Sequence, residues 1–213
     1  MQRRHFLAHA GTAALAAAMP FAAGAQTRPF DETQLRGTRD AREFGVVPDA
    51  GSDQSATFQA MLDAAAAQGF ALRLPGGAYV LSDIVLPSGL LVEGIPGRTR
   101  LVHAGLGAML RAGGGDAITL RGLTLDGASR MADEDEGLLE MRDVVSFVLE
   151  ECSLENAGGS AVHLERCSGT LTRNAISNAL IAGIFGRDCA GLRIDGNTLS
   201  RCANGGILVY RSE

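Results

Sequence analysis

The chain has 213 residues, 46% apolar and 20% charged, with 28 glycines, two tyrosines and no tryptophan. All 19 basic side chains are arginines, set against 24 acids for a net charge of −5, which argues against a nucleic acid or an anionic membrane as partner, because both need a basic surface. The length is sufficient for one domain with a sizeable core, and few aromatics among many glycines suit a fold of tight turns.

Residues 1–25 read as a leader. The run Arg3-Arg4-His5-Phe6-Leu7 resembles the core of a twin-arginine (Tat) signal. An Ala-rich apolar region follows, and Ala23-Gly24-Ala25 forms a cleavage site. That region is too short and too weakly apolar to span a bilayer, so no membrane anchor is expected after cleavage. A generic Sec signal is the alternative, but adjacent arginines followed by x-Phe-Leu favour Tat. The expectation is a bacterial protein handed to the Tat translocase and cut after Ala25, with a periplasmic or secreted destination. Loss of Arg3 and Arg4 takes the charge from −5 to about −7. Residues 26–42 read as a polar linker and 43–213 as one domain.

After the linker, Asp53 or Ser55 can cap a helix running to about Gln68. Phe58, Met61, Leu62 and Ala65 share one face of it, and Gly69 stops it. Further on, Ala117–Gly127 (AITLRGLTLDG) has the alternation of short strands, and Met131–Gly137 (MADEDEG) reads as an insertion at a turn. Asp133, Glu134, Asp135 and Glu136 make that insertion acidic. A solvated loop is the expected reading, with no cofactor; a Ca²⁺ site is the alternative, although the spacing is not that of an EF-hand.

The last third repeats itself. Val148–Gly169 and Thr170–Gly191 are each 22 residues long, and Leu192–Glu213 is a third copy with one residue inserted near its start. Leu149, Leu171 and Ile194 correspond, as do Leu154, Ile176 and Leu199, and Val162, Ile184 and Ile207. Ala117–Gly127 joins this frame with Leu123 at the place of Asn174 and Leu125 at that of Ile176. Each copy holds short alternating runs split by Gly, Asn or Ser, with no room for a helix, and such a period marks a stacked repeat. Three short strands and three turns per 22 residues form one rung of a right-handed parallel β-helix, which buries its inward side chains by stacking on its neighbours. The fold expected is therefore all-β, with the helix at 55–68 as a short N-terminal cap over the first rung. Unrelated strands in a sandwich are the alternative. Asn174 and Asn197 fall in register, with Cys152 one copy earlier, at a position expected to bond from rung to rung and to tolerate left-handed backbone. Ala157, Ala179 and Cys202 form a small-residue column.

The run Phe44-Gly45, Asp49, Asp53, Phe58-Gln59, Gly69 and Leu74-Pro75-Gly76-Gly77-Ala78-Tyr79 is similar to the N-terminal segment of pectate-lyase-like right-handed β-helix proteins. That group includes polysaccharide lyases, glycoside hydrolases and phage tailspikes. With its leader, the whole chain resembles a family of Tat-translocated repeat proteins of uncharacterised function. The resemblance implies the β-helix fold and a polysaccharide lying along the strand that follows the Gly of each repeat. The paired aspartates and Gly-His-Gly of polygalacturonases, the Asp-Pro-His of alginate epimerases and the aspartate cluster of the pectate-lyase Ca²⁺ site are all absent.

If Val162, Ile184 and Ile207 point inward, the residues next to them point outward. Arg142, Glu165, Arg187 and Tyr210 then form one row, and Glu140, His163, Phe185 and Leu208 the next, about 4.8 Å from strand to strand. Glu165, Arg187, Tyr210 and His163 are the candidate catalytic residues, suited to uronate recognition and proton transfer. Arg142 and Phe185 are candidates for holding a sugar. The bland reading of the same row is cross-strand ion pairing with His163 a surface residue. The lack of a recognised catalytic motif favours a glycan-binding or envelope-scaffold protein; the alternative is a polyuronide lyase, epimerase or hydrolase. Cys167 and Cys189 occupy equivalent places one rung apart, where a disulfide or a buried thiol stack would both fit. Glu213 follows directly on a strand, so the expectation is a C-terminally truncated solenoid.

Overall fold

The structure, a computed structural model, describes residues 37–133 and 135–212. The signal residues Arg3, Arg4, Phe6, Leu7, Ala23 and Ala25, and most of the linker, lie outside the described residues. A first short strand, β1 (Arg39–Asp40), opens the solenoid, followed by a 3₁₀ turn (Ala41–Phe44) and helix α1 (Ser55–Gln68). The first rung is β2 (Leu72–Arg73), β3 (Gly77–Leu81) and β4 (Ile84–Val85). The second is β5 (Leu91–Glu93), β6 (Thr99–His103) and β7 (Leu110–Gly113), and the third is β8 (Ile118–Arg121), β9 (Thr124–Asp126) and β10 (Gly137–Arg142). The fourth is β11 (Phe147–Glu150), β12 (Ser153–Ala157) and β13 (Ser160–Glu165). The fifth is β14 (Gly169–Thr172), β15 (Ala175–Ala179) and β16 (Ala182–Arg187), and the sixth is β17 (Leu192–Asp195), β18 (Thr198–Cys202) and β19 (Gly205–Tyr210). Corresponding strands of successive rungs pair in parallel. Sheet A is β1-β2-β5-β8-β11-β14-β17, sheet B runs from β3 to β18, and sheet C from β4 to β19.

Register follows the sequence period. Three inward apolar columns form the core. Leu72, Val92, Leu120, Leu149, Leu171 and Ile194 stack on sheet A. Tyr79, Leu101, Leu125, Leu154, Ile176 and Leu199 stack on sheet B, and Ile84, Leu110, Leu139, Val162, Ile184 and Ile207 on sheet C. All but the sixth-rung members are buried, each contributing about 1.5–3 kcal/mol by leaving water. A one-residue slip in any strand would turn its column outward, so the columns also fix the register.

The corners use left-handed backbone. Glu151, Arg173 and Gly196 turn from sheet A to B, Asn156, Asn178 and Arg201 from B to C, and Asp143, Arg166, Asp188 and Arg211 from C to A, all at φ between 47° and 64°. This corrects one detail of the sequence reading. Asn174 and Asn197 stand one residue after the left-handed position, where their side chains turn inward. Asn174 Oδ1 accepts the Cys152 N–H at 2.9 Å, and Asn174 Nδ2 donates to Leu149 O and to Asn197 Oδ1, each at 2.9 Å. Asn197 Nδ2 donates to Leu171 O at 2.8 Å. The amide column thus satisfies backbone groups the turn would otherwise bury unpaired.

The N-terminal end is closed by side chains that imitate a strand. Gln59 on α1 accepts the Val85 N–H and donates to Val85 O, both at 2.8 Å, along the free edge of β4. Asp49 Oδ1 accepts from the Ala78 N–H at 2.9 Å. Phe58, Met61, Leu62 and Ala65 of α1 are buried against the first rung. Asp53 Oδ1 accepts the Ser55 N–H at 2.7 Å, and Gly69 ends the helix at φ 67°. Sheet A begins within the stretch read as linker, because Arg39 and Asp40 pair with Leu72 and Arg73.

Candidate functional site

The two outward rows on sheet C are in register as expected. Glu140, His163, Phe185 and Leu208 are successive partners, and Arg142, Glu165, Arg187 and Tyr210 form the neighbouring row. The first row continues backwards through Arg111 and Val85. Alternation places both rows on one face, and stacking brings side chains from four rungs within reach of one another.

Glu165 is the centre of the face. Its side chain is only 3% exposed, yet four cationic or titratable groups surround it. Arg187 Nη2 donates to its Oε1, and Arg142 Nη1 lies 3.4 Å from Oε2. Arg166, at the corner, reaches Oε2 at 3.6 Å while binding Asp143 through two nitrogens at 2.6 and 2.8 Å. Arg142 Nε also donates to Glu140 Oε1 at 2.6 Å, so one guanidinium bridges two carboxylates. Burial pushes the Glu165 carboxyl up, but Arg142, Arg187 and His163 outweigh it and hold the group below its ordinary value.

His163 differs from its sequence reading as a surface residue: it is 1% exposed. The Phe185 ring packs against it at 4.6 Å between centroids, and Gly137 leaves no room beside its Cβ. Neither ring nitrogen has a hydrogen-bond partner, although Nε2 stands 3.6 Å from Glu165 Oε1. Burial pushes its pKa down against the pull of Glu165 and Glu140, so the ring is neutral near pH 7. Phe185 then meets Tyr210 at 5.6 Å and 40°, and Tyr210 is 52% exposed. The face thus passes from a buried imidazole, through a half-buried ring, to an open one.

All six site residues therefore converge on one face, divided by depth. Arg142, Arg187, Phe185 and Tyr210 are open to a ligand; His163 and Glu165 lie beneath them. At neutral pH the ionised Glu165 has no proton to donate, and the neutral His163 is enclosed. What the face presents to solvent is therefore rings beside fixed hydrogen-bonding groups. Sequence reasoning missed Arg166. The signal was available in the corner column Asp143, Arg166, Asp188, Arg211, whose signs alternate rung by rung and whose members pair in the structure.

The insertion between β9 and β10 folds back on the B–C corner, where Met131 bridges Gly158. Glu136 Oε2 accepts the Asp133 N–H at 3.0 Å, while Glu134 lies outside the described residues. Among the described residues, no three His, Cys, Asp or Glu side chains converge on a possible metal position. All four cysteines are free thiols. Cys189 Sγ accepts the Cys167 N–H at 3.5 Å, and Cys167 Sγ donates to Glu165 O at 3.1 Å, so the pair serves the C–A corner as the asparagines serve the A–B corner. Burial pushes the Cys167 thiol up to about 11.

No curated protein matches the sequence. Among solved structures, the chain is similar to a Parabacteroides merdae ATCC 43184 protein assigned provisionally as a glycosyl hydrolase, with 19% identity, a TM-score of 0.56, and coverage of 83% of this chain and 95% of that one. It is also similar to the N-terminal fragment of gene product 12 of bacteriophage phi29, with 14% identity, a TM-score of 0.62 and coverage of 76% and 37%. ORF18 of Geobacillus virus E2 matches with 13% identity, a TM-score of 0.52 and coverage of 82% and 41%. The chain thus spans well under half of either viral chain. What is shared at these identities is the fold. The family model described as a right-handed beta helix region matches residues 112–213, the part in which the repeat is most regular, and the whole described chain is a right-handed parallel β-helix of six rungs.

Proposed function

We propose that the outer face of sheet C is a glycan-recognition surface of an exported protein. The observation that carries this reading is the ring row beside the ion network: exposed Tyr210 and half-buried Phe185 lie next to Arg142 and Arg187, whose geometry the buried Glu165 fixes. Rings offer an apolar platform to the C–H face of a sugar, and preordered charged groups offer hydrogen bonds to its hydroxyls without a new ordering cost. The Parabacteroides merdae protein, with its provisional hydrolase assignment, supports the association of this fold with glycans. Export through the Tat translocase to the periplasm or medium is part of the proposal, resting on Arg3, Arg4, Phe6, Leu7, Ala23 and Ala25.

The test is native electrophoresis through gels containing polysaccharides. Retardation by at least one glycan is expected, lost in Phe185→Ala with Tyr210→Ala while the melting point stays within a few degrees. Unretarded migration across a broad panel would end this reading. For export, Arg3→Lys with Arg4→Lys should leave the precursor uncut in the cytoplasm; normal processing would point to Sec instead.

A second reading, a lyase, epimerase or hydrolase, is favoured by one observation: an ionised carboxylate lies 3.6 Å from a neutral imidazole. It requires Phe185 to move so that substrate reaches His163. Turnover of a polysaccharide, lost in both Glu165→Gln and His163→Asn, would select it over binding alone.

A further inference from the structure

We infer that the glycan taken by this face is uncharged, and that polyuronides and sulfated chains are refused. The inference rests on the glycan-recognition reading and goes against the uronate chemistry that the residue types alone invite. An arginine grips an incoming carboxylate when its planar fork is free to make two parallel bonds. No arginine of this face is free. Arg111 is bonded to Asp83, Arg142 to Glu140 and Glu165, Arg187 to Glu165, and Arg166 to Asp143 and Glu165. The three strand arginines meet three carboxylates, so the face is locally neutral.

Glu165 cannot step aside for a competing anion. It is buried between strands, and moving it would leave it either desolvated or unpaired. An anion seated on Arg187 would therefore stand beside a fixed carboxylate of its own sign and be repelled by it, more strongly at this partly shielded surface than in open water. The chain as a whole is also acidic, at −5, and repels a polyanion before contact. A neutral sugar meets none of this. Its hydroxyls both donate and accept, and the face sets carboxylate acceptors directly beside guanidinium donors, as Arg142 between Glu140 and Glu165 shows. Its C–H face needs only the rings of Phe185 and Tyr210.

The experiment compares two forms of one backbone: fully methyl-esterified galacturonan and the same chain de-esterified, each titrated calorimetrically into the signal-free protein, alongside neutral glucans, mannans, xylans and galactans. A neutral chain should bind at least about tenfold tighter than any uronate chain, with an affinity unchanged between low and moderate salt. Glu165→Gln should narrow that preference by releasing Arg187 and freeing one of the two sides of Arg142; if that variant is unstable, Glu140→Gln frees the other side of Arg142 and should act in the same direction, though less. Tighter binding of de-esterified galacturonan than of every neutral chain overturns the inference and leaves the glycan-recognition reading standing. Binding of neither kind overturns both.

Discussion

On sheet A, the outward row Asp40, Arg73, Glu93, Arg121 and Glu150 alternates in sign over five strands. Arg121 bridges Glu93 at 2.8 Å and Glu150 at 2.7 Å. On sheet C the row Arg142, Glu165, Arg187 alternates in the same way. The residue types and spacing are the same; the surroundings are not. The neighbouring outward row on sheet A is Leu91, Thr119, Val148, Thr170 and Arg193, which has no ring to exclude water. On sheet C it is Glu140, His163 and Phe185, and Glu165 in the charged row beside it is 3% exposed where Glu93 is 34% exposed. Alternating charge by itself disfavours register slips by setting like charges side by side. A ring row beside it turns the same pattern into a dry, preordered network.

The widest separation between the two rows should come from deleting their central carboxylates. Glu165→Ala leaves Arg187 without a carboxylate and takes one partner from each of Arg142 and Arg166 around a buried gap, and it is expected to cost about 2–4 kcal/mol, below the full value for a buried pair because the arginines themselves reach water. In a domain of this size that lowers the melting point by about 4–16 °C. Glu93→Ala should cost under about 1 kcal/mol. Equal losses in the two variants would mean that depth does not set the strength of these rows.

Acid should separate them next. Burial pushes the pKa of both His163 and His103 down, with Arg130 adding to the effect at His103. A base with a depressed folded-state pKa takes up protons more readily when unfolded, so its contribution is complete above about pH 6.5 and is lost as pH falls through its folded-state value. Glu165, also depressed, adds a later loss below the ordinary carboxylate range. Urea titrations should therefore show stability falling below about pH 6.5, before any carboxylate titrates. His163→Asn should flatten part of that limb and His163→Asn with His103→Asn nearly all of it, whereas Glu150→Gln on sheet A should leave it unchanged. A limb that survives the double variant would refute the assignment to buried imidazoles.

Much of this was legible in the sequence because a parallel solenoid converts chain period directly into spatial stacking. Leu149 with Leu171, Leu154 with Ile176 and Val162 with Ile184 needed only a count of residues, and the same count placed Glu165 beside Arg187. Depth was not legible. Alternation puts His163 outward, but whether outward means wet depends on the size of the side chains one rung away, here Phe185, and on the tight approach at Gly137. The cap was half legible. The face of α1 follows from helical period, while the pairing of Gln59 with the edge of β4 depends on where the helix lands. Cross-strand pairing of Arg142 and Arg187 with Glu165 was one reading of the row, but the further partners Arg166 and Asp83 were hidden, because they enter from left-handed corners outside the strand pattern.

Salt gives the smallest contrast and the one that isolates screening from burial. Arg121 is 41% exposed and bonds two carboxylates that also reach water. Removing it should cost under about 1 kcal/mol, since exposed pairs gain little and give up side-chain freedom. Most of that small cost should disappear in 1 M NaCl, where the screening length falls to about 3 Å. The cost of Glu165→Ala should persist there, because ions do not enter the space between His163, Phe185 and the guanidiniums. Chemical denaturation of wild type, Arg121→Gln and Glu165→Ala, each in urea at low and high salt, measures both differences at once. A Glu165→Ala cost that collapses with salt as the Arg121→Gln cost does would place the two rows in one class, as surface ladders, and remove the physical basis for treating sheet C as a site.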